Sequence, residues 1–69
     1  MTQTEKILEF MKENGSITPM DALSEFGCMR LAARIADIRA DGVNVVSTME
    51  QSKNRYGETV RFARYRLED

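Results

Sequence analysis

Apolar residues recur at helical spacing in three stretches of the first 42 residues, and a glycine follows each stretch. The first stretch begins with TQTE at residues 2–5, the pattern of a capping box, in which Thr2 and Glu5 bond each other's backbone amides. We predict a helix from there to about Asn14, ended by Gly15 in the left-handed conformation. Its core-facing residues are Ile7, Leu8, Phe10 and Met11.

A second, shorter helix is predicted after Thr18, which caps it, with Pro19 in the first helical position and Gly27 at its end. Asp21 complements the dipole at its start. The inward residues of its two turns are predicted to be Met20, Leu23 and Phe26.

A third helix is predicted over residues 29–41, ended by Gly42, with Leu31, Ile35 and Ile38 on its core side. Small or uncharged side chains occupy its opposite side, where surface helices usually carry Lys, Glu and Gln. These outer residues are Met29, Ala33, Ala36 and Ala40. This low outer face suits a helix that must approach another surface closely, although alanine also simply favours helix.

After Gly42 the apolar spacing changes to period two, in residues 43–49 and again in 60–67. The nine polar residues 50–58 lie between these two strands and contain the turn formers Asn54 and Gly57. We predict a β-hairpin with a long basic loop, against which Ile17 forms a brief β-bridge. The predicted fold is mainly α with a small β-hairpin: a winged helix-turn-helix of three helices and a two- or three-stranded antiparallel wing, in one domain over residues 1–69.

The order of elements suggests how the chain works. A short helix, a glycine turn and a longer helix make a helix-turn-helix, whose second helix enters the major groove of DNA. Arg30, at the start of helix 3, could donate two hydrogen bonds to one guanine. Arg34 is placed for a phosphate contact or for an ion pair with Asp37.

The hairpin is the expected wing, and it carries the remaining candidates. At its tip lie Lys53, Asn54, Arg55 and Tyr56, and Arg64 follows on the last strand. We expect Ala63, Tyr65 and Leu67 to share the core face of that strand, with Phe62, Arg64 and Arg66 on the other. Phosphate contact is the functional interpretation of these cations. The alternative is that they keep an exposed sheet edge soluble.

The charge distribution is consistent with a polyanion partner, although the net charge of −1 by itself is not. Residues 1–28 hold two basic against five acidic side chains, whereas residues 29–67 hold eight against four. A solvated surface of mixed charge is the alternative interpretation.

Composition excludes several other classes of function. The single Cys28 excludes an internal disulfide, and the lack of histidine excludes His-based catalytic and zinc-finger spacings. No apolar run approaches the roughly 20 residues that span a membrane, and no signal-peptide pattern opens the sequence. We expect a cytoplasmic protein with no cofactor, no metal, no small-molecule substrate and no enzymatic activity.

The sequence also resembles the small winged helix-turn-helix domains common in bacteriophages and prophages. The resemblance covers nearly the whole chain and is most specific in SITPMDAL (residues 16–23) and GCMRLAARIADIR (residues 27–39). It implies a phage regulator in a bacterial host cell, with helix 3 as the reading helix and residues 50–59 as the wing. Carried over by position, it marks as DNA-facing Cys28, Met29, Arg30, Ala33, Arg34 and Asp37.

Two functions follow as hypotheses. The first is sequence-specific binding of duplex DNA by a phage transcriptional regulator or accessory factor, with a homodimer or a protein partner extending its short binding site. The second is a protein-binding module on the same scaffold, for example an inhibitor of a host defence complex. The acidic first helix favours the second hypothesis.

Overall fold

The computed structural model describes residues 1–68, which form three helices followed by an antiparallel hairpin. The elements are α1 (Gln3–Asn14), α2 (Pro19–Phe26), α3 (Leu31–Ala40), β1 (Val45–Lys53) and β2 (Thr59–Leu67). This architecture confirms the predicted winged helix-turn-helix. No helix within residues 1–68 combines the length and apolarity needed to cross a membrane.

Capping boxes begin the first two helices, as the sequence predicts. The Thr2 hydroxyl accepts from the Glu5 amide at 3.2 Å, and the Glu5 carboxylate accepts from the Thr2 amide at 3.2 Å. The hydrogen bond from the Thr2 amide to the carboxylate, followed by the Thr2 side chain, holds the pKa of Glu5 below its ordinary value. Thr18 and Asp21 repeat the arrangement at α2 with distances of 3.2 and 3.0 Å. Both starts are therefore fixed by local chemistry alone.

The third helix is shorter than the predicted span of 29–41. Arg30 occupies its N-cap with a non-helical backbone, φ −130° and ψ 59°, and makes no capping hydrogen bond through its side chain. The Cys28 amide instead donates to the Ala22 carbonyl at 3.0 Å, closing the end of α2. Residues 28–30 thus serve the turn between the two helices, and α3 begins only at Leu31.

The hairpin is longer and its loop shorter than predicted. Its strands pair in register from Val45 opposite Leu67 to Lys53 opposite Thr59, leaving only residues 54–58 for the turn. The prediction that residues 50–53 form a loop was wrong. It relied on the lack of alternating apolar and polar residues, but that alternation appears only in strands with one buried face. These four residues and their β2 partners are mostly exposed, so backbone pairing forms strands there without an alternating pattern.

A short third strand segment joins the hairpin to the helices. The Ile17 amide donates to the Tyr65 carbonyl at 2.8 Å, and the Tyr65 amide donates back to Ile17 at 2.9 Å. This confirms the predicted bridge. Ile17 itself is fully buried, so the bridge also anchors the base of the wing in the core.

The core lies between the three helices and the base of the hairpin. Its buried members are Ile7, Met11, Ile17, Ala22, Cys28, Leu31, Ile35, Ile38 and Val45, and its half-buried margin includes Leu8, Phe10, Phe26, Val43, Tyr65 and Leu67. The predicted inward face of α2 needs correction, because Met20 and Leu23 are exposed and Ala22 is buried instead. Because Ala22 is small, α2 can lie close to the other core residues. Phe26 packs edge-on against Phe10 with ring centroids 5.8 Å apart.

Candidate DNA-binding surface

The outward face of α3 has little side-chain bulk. Ala36 and Ala40 are exposed, whereas Ala33 is half-buried. Met29, just before the helix, is 85% exposed. The prediction that Cys28 faces DNA is wrong, because its side chain lies in the core at 4% exposure. The resemblance placed it by position at the start of the reading helix, and the turn rotates it inward.

The arginines of α3 differ in how much of their hydrogen-bonding capacity is free. Nε of Arg34 lies 3.2 Å from Oδ2 of Asp37, which is the ion pair that the sequence left open as an alternative. The Nε–H does not point at the carboxylate, so this ion pair includes no hydrogen bond. Arg39 donates through Nε and Nη2 to the Val45 carbonyl at 3.1 and 2.8 Å, joining α3 to β1. Arg30 is exposed and forms no ion pair or side-chain hydrogen bond within the described residues.

Asn54 organises the wing turn. Its Oδ1 accepts from the amides of Tyr56 and Glu58 at 2.9 and 3.1 Å, and its Nδ2 donates to the Glu58 carboxylate at 3.2 Å. Gly57 follows with φ 78°, a conformation that strains any residue with a Cβ. Asn54 therefore shapes the tip, and its polar atoms are already bonded within the turn.

The cations at the tip are directed to solvent. The guanidinium of Arg55 lies 5.4 Å from the centre of the Tyr56 ring, and Tyr56 is 75% exposed. Lys53 is exposed, and its hydrogen bond to the Gly57 carbonyl, at 3.5 Å, leaves the ammonium in water. Such cations on a projecting hairpin can reach phosphate groups.

Arg64 differs from these cations because its guanidinium is already bonded inside the protein. Nε lies 2.9 Å from the Glu50 carboxylate, and Nη1 donates to the Ser16 hydroxyl at 2.9 Å. Arg61, closer to the tip on the same strand, is exposed and forms no ion pair within residues 1–68. Arg61 was not among the predicted site residues. Its place in the sequence, between the polar turn and the apolar residues of β2, could have indicated an exposed cation on the wing.

The start of α2 connects the wing to the start of α3. Pro19 and Met20 line one groove with Val60, Phe62 and other residues of the hairpin. The same two residues line a second groove with Leu23 and Met29. The exposed surface is therefore continuous from the wing across α2 to α3, and this role of α2 was missed when Met20 was assigned to the core.

A different groove lies between α1 and the end of α2. Phe10 and Phe26 form its apolar floor, and its charged residues are Lys6, Glu9, Glu13 and Glu25. Three carboxylates outnumber the Lys6 ammonium and the amino group of Met1, which also lines the groove. The groove is therefore negative, which repels a phosphate backbone and attracts a cationic partner.

Comparison with known proteins agrees with this geometry. The family model described as a winged helix-turn-helix domain matches residues 2–69. The chain therefore belongs to the winged helix-turn-helix domain family, a class that indicates DNA as the partner. No curated protein and no solved structure matches the chain significantly.

Proposed function

We propose that this protein binds duplex DNA sequence-specifically, with α3 in the major groove and the hairpin on the phosphate backbone. The observation that carries the proposal is the set of exposed cations on the β1–β2 hairpin, which is the wing of a winged helix-turn-helix domain. Lys53, Arg55 and Arg61 lie on the hairpin and form no ion pair within the described residues. Arg30 adds one unengaged guanidinium at the start of the reading helix.

The biological role that fits this activity is a transcriptional regulator or accessory factor of the bacteriophage type to which the sequence is similar. Because α3 has only ten residues, one copy reaches few base pairs, so a second copy or a protein partner would complete the binding site. We also propose that the protein has no catalytic role. The chain has no histidine, and its one cysteine is buried.

The salt dependence of binding tests the role of the wing. Affinity for a labelled random duplex is measured by fluorescence anisotropy between about 50 and 200 mM salt. Replacing Lys53 and Arg55 with alanine should weaken binding similarly on all sequences. The slope of log K against log salt should fall by roughly 0.9 for each phosphate that the variant no longer neutralises.

The matched control removes the same two charges elsewhere. Lys6 and Lys12 lie on α1, and replacing both with alanine should leave the slope near that of the wild type. If the slope falls by the same amount in both double variants, the net charge of the protein, and not the position of the cations on the wing, governs binding. Selection of bound sequences from a random pool would then report the preferred site and whether it has two-fold symmetry.

The second candidate function, a protein-binding module, is favoured by the negative groove between α1 and α2. Its apolar floor and three carboxylates fit a cationic segment of a partner protein, such as a component of a host defence complex. The low-salt assay separates the two candidates. A wild-type protein that does not bind random duplex even at low salt, and enriches no sequence from the pool, would leave protein binding as the function.

A further inference from the structure

An exposed apolar patch surrounds the start of α3. Met29 is 85% exposed, Met20 is 70% exposed and Leu23 is 47% exposed, and all three line one shallow groove with Pro19. No charged side chain lines this groove. Clustered exposed apolar groups of this kind are a candidate contact surface.

The polar side chains near this patch are few, which limits how α3 can read bases. Residues 28–43 contain no Ser, Thr, Asn or Gln. Arg34 and Asp37 form an ion pair, and Arg39 is bonded to a backbone carbonyl of β1. Among the described arginines of this region, Arg30 is the one with neither an ion pair nor a side-chain hydrogen bond, and it lies next to Met29. A single arginine can specify one guanine but not a whole site.

The exposed methionine beside Arg30 offers a second kind of base discrimination, through apolar contact. The 5-methyl group of thymine is the apolar group that base pairs present in the major groove. We propose that Met29 contacts a thymine methyl group next to a guanine bound by Arg30, so that the protein selects A·T pairs adjoining a G·C pair. Exposed alanines at positions 32, 36 and 40 have no side chain long enough to hold α3 away from the bases. The inference rests on the proposed function, because it requires α3 in the major groove.

Substitution of uracil for thymine tests the inference, since it removes only the methyl group. The full-length protein is titrated with a duplex selected from the random pool and with copies in which single thymines are replaced by uracil. At the thymine that Met29 contacts, we expect binding to weaken about two- to fourfold, the factor for losing one buried methyl group. Thymines outside the α3 site should tolerate uracil.

A pair of methionine variants assigns the effect to Met29. In Met29→Ser, binding to the thymine duplex should weaken by a similar factor, and the difference between thymine and uracil should disappear. Met49→Ser is the matched control, because Met49 lies on β1 and is 69% exposed. It should keep the full difference. Neither side chain is buried, so both variants should retain the circular dichroism spectrum of the wild type.

The outcomes are distinguishable. If the wild type binds thymine and uracil duplexes equally, the inference is wrong while the proposed function stands. If Met29→Ser keeps the full thymine–uracil difference, the assignment to Met29 is wrong. If the wild type binds no duplex at low salt, both the inference and the proposed function fail, and the apolar patch belongs to a protein interface.

Discussion

Substituting alanine at Ile35 tests how the helices pack. Ile35 is fully buried in the middle of α3, among core residues from all three helices and β1. Removing its side chain loses the burial of three carbons and leaves a cavity, which costs about 2–5 kcal/mol. A chain of 69 residues has a total stability of only about 3–10 kcal/mol. Ile35→Ala should therefore remove a large part of the free energy of unfolding.

Leu23→Ala is the informative control, because helical spacing alone predicts Leu23 to be as buried as Ile35. In the structure Leu23 is 47% exposed. Its truncation removes a half-solvated side chain and opens no enclosed cavity, so the expected cost is about 1 kcal/mol or less. The pair thus compares two aliphatic truncations of similar size in different environments.

Urea unfolding followed by circular dichroism at equal m-values gives both free energies, and thermal melts give a second measure. Each kcal/mol should lower Tm by about 4–8 °C in a domain of this size. Ile35→Ala should therefore melt at least about 8 °C below the wild type, and Leu23→Ala much nearer to it. If the two variants lost similar free energies of unfolding, Leu23 would have to be buried, and the arrangement in which α2 packs on the core with Ala22 would be refuted.

Three further outcomes are expected. Arg39→Lys should lower stability by up to about 1.5 kcal/mol in urea unfolding, because one ammonium cannot reproduce both hydrogen bonds to the Val45 carbonyl; an unchanged midpoint would mean that this contact is dispensable. The lowered pKa of Glu5 means that its capping contribution is complete above its ordinary value of 4.5 and is lost as pH falls through its lower folded value. Glu5→Gln keeps an accepting oxygen, so it should lose less stability than the wild type as the pH falls below 4.5, as thermal melts at successively lower pH would show. Asn54→Ala should loosen the wing turn, lowering amide-exchange protection at Tyr56 while the core keeps its protection; equal protection in both proteins would contradict the organising role of Asn54.

Docking of α3 in the groove is also open to a direct test. Ala33 is the obvious position on the helical wheel, but it is half-buried, whereas Ala36 is exposed on the same side. Ala36→Glu should reduce duplex affinity at least tenfold, about 1.4 kcal/mol, with little change in Tm. Normal DNA binding by this variant would place α3 outside the groove.

Sequence alone determined where the first two helices begin and end, because those positions depend on neighbouring residues. Thr2 with Glu5 and Thr18 with Asp21 satisfy amides three residues apart, and Gly15 and Gly27 adopt positive φ as helix ends. The order of helices and strands followed from the same local signals, and with it the winged helix-turn-helix class.

Tertiary structure decided which side chains remain available for a partner. The sequence shows three arginines between residues 30 and 39 and offers Asp37 as a local partner for Arg34, but only the fold brings the Val45 carbonyl to Arg39. It also buries Cys28 and exposes Met20, two residues that sequence reasoning placed the other way. Helical periodicity indicates which residues share one face of a helix. Which other element covers that face depends on long-range packing. The binding surface is what remains after that packing, so it could not be derived from local pattern.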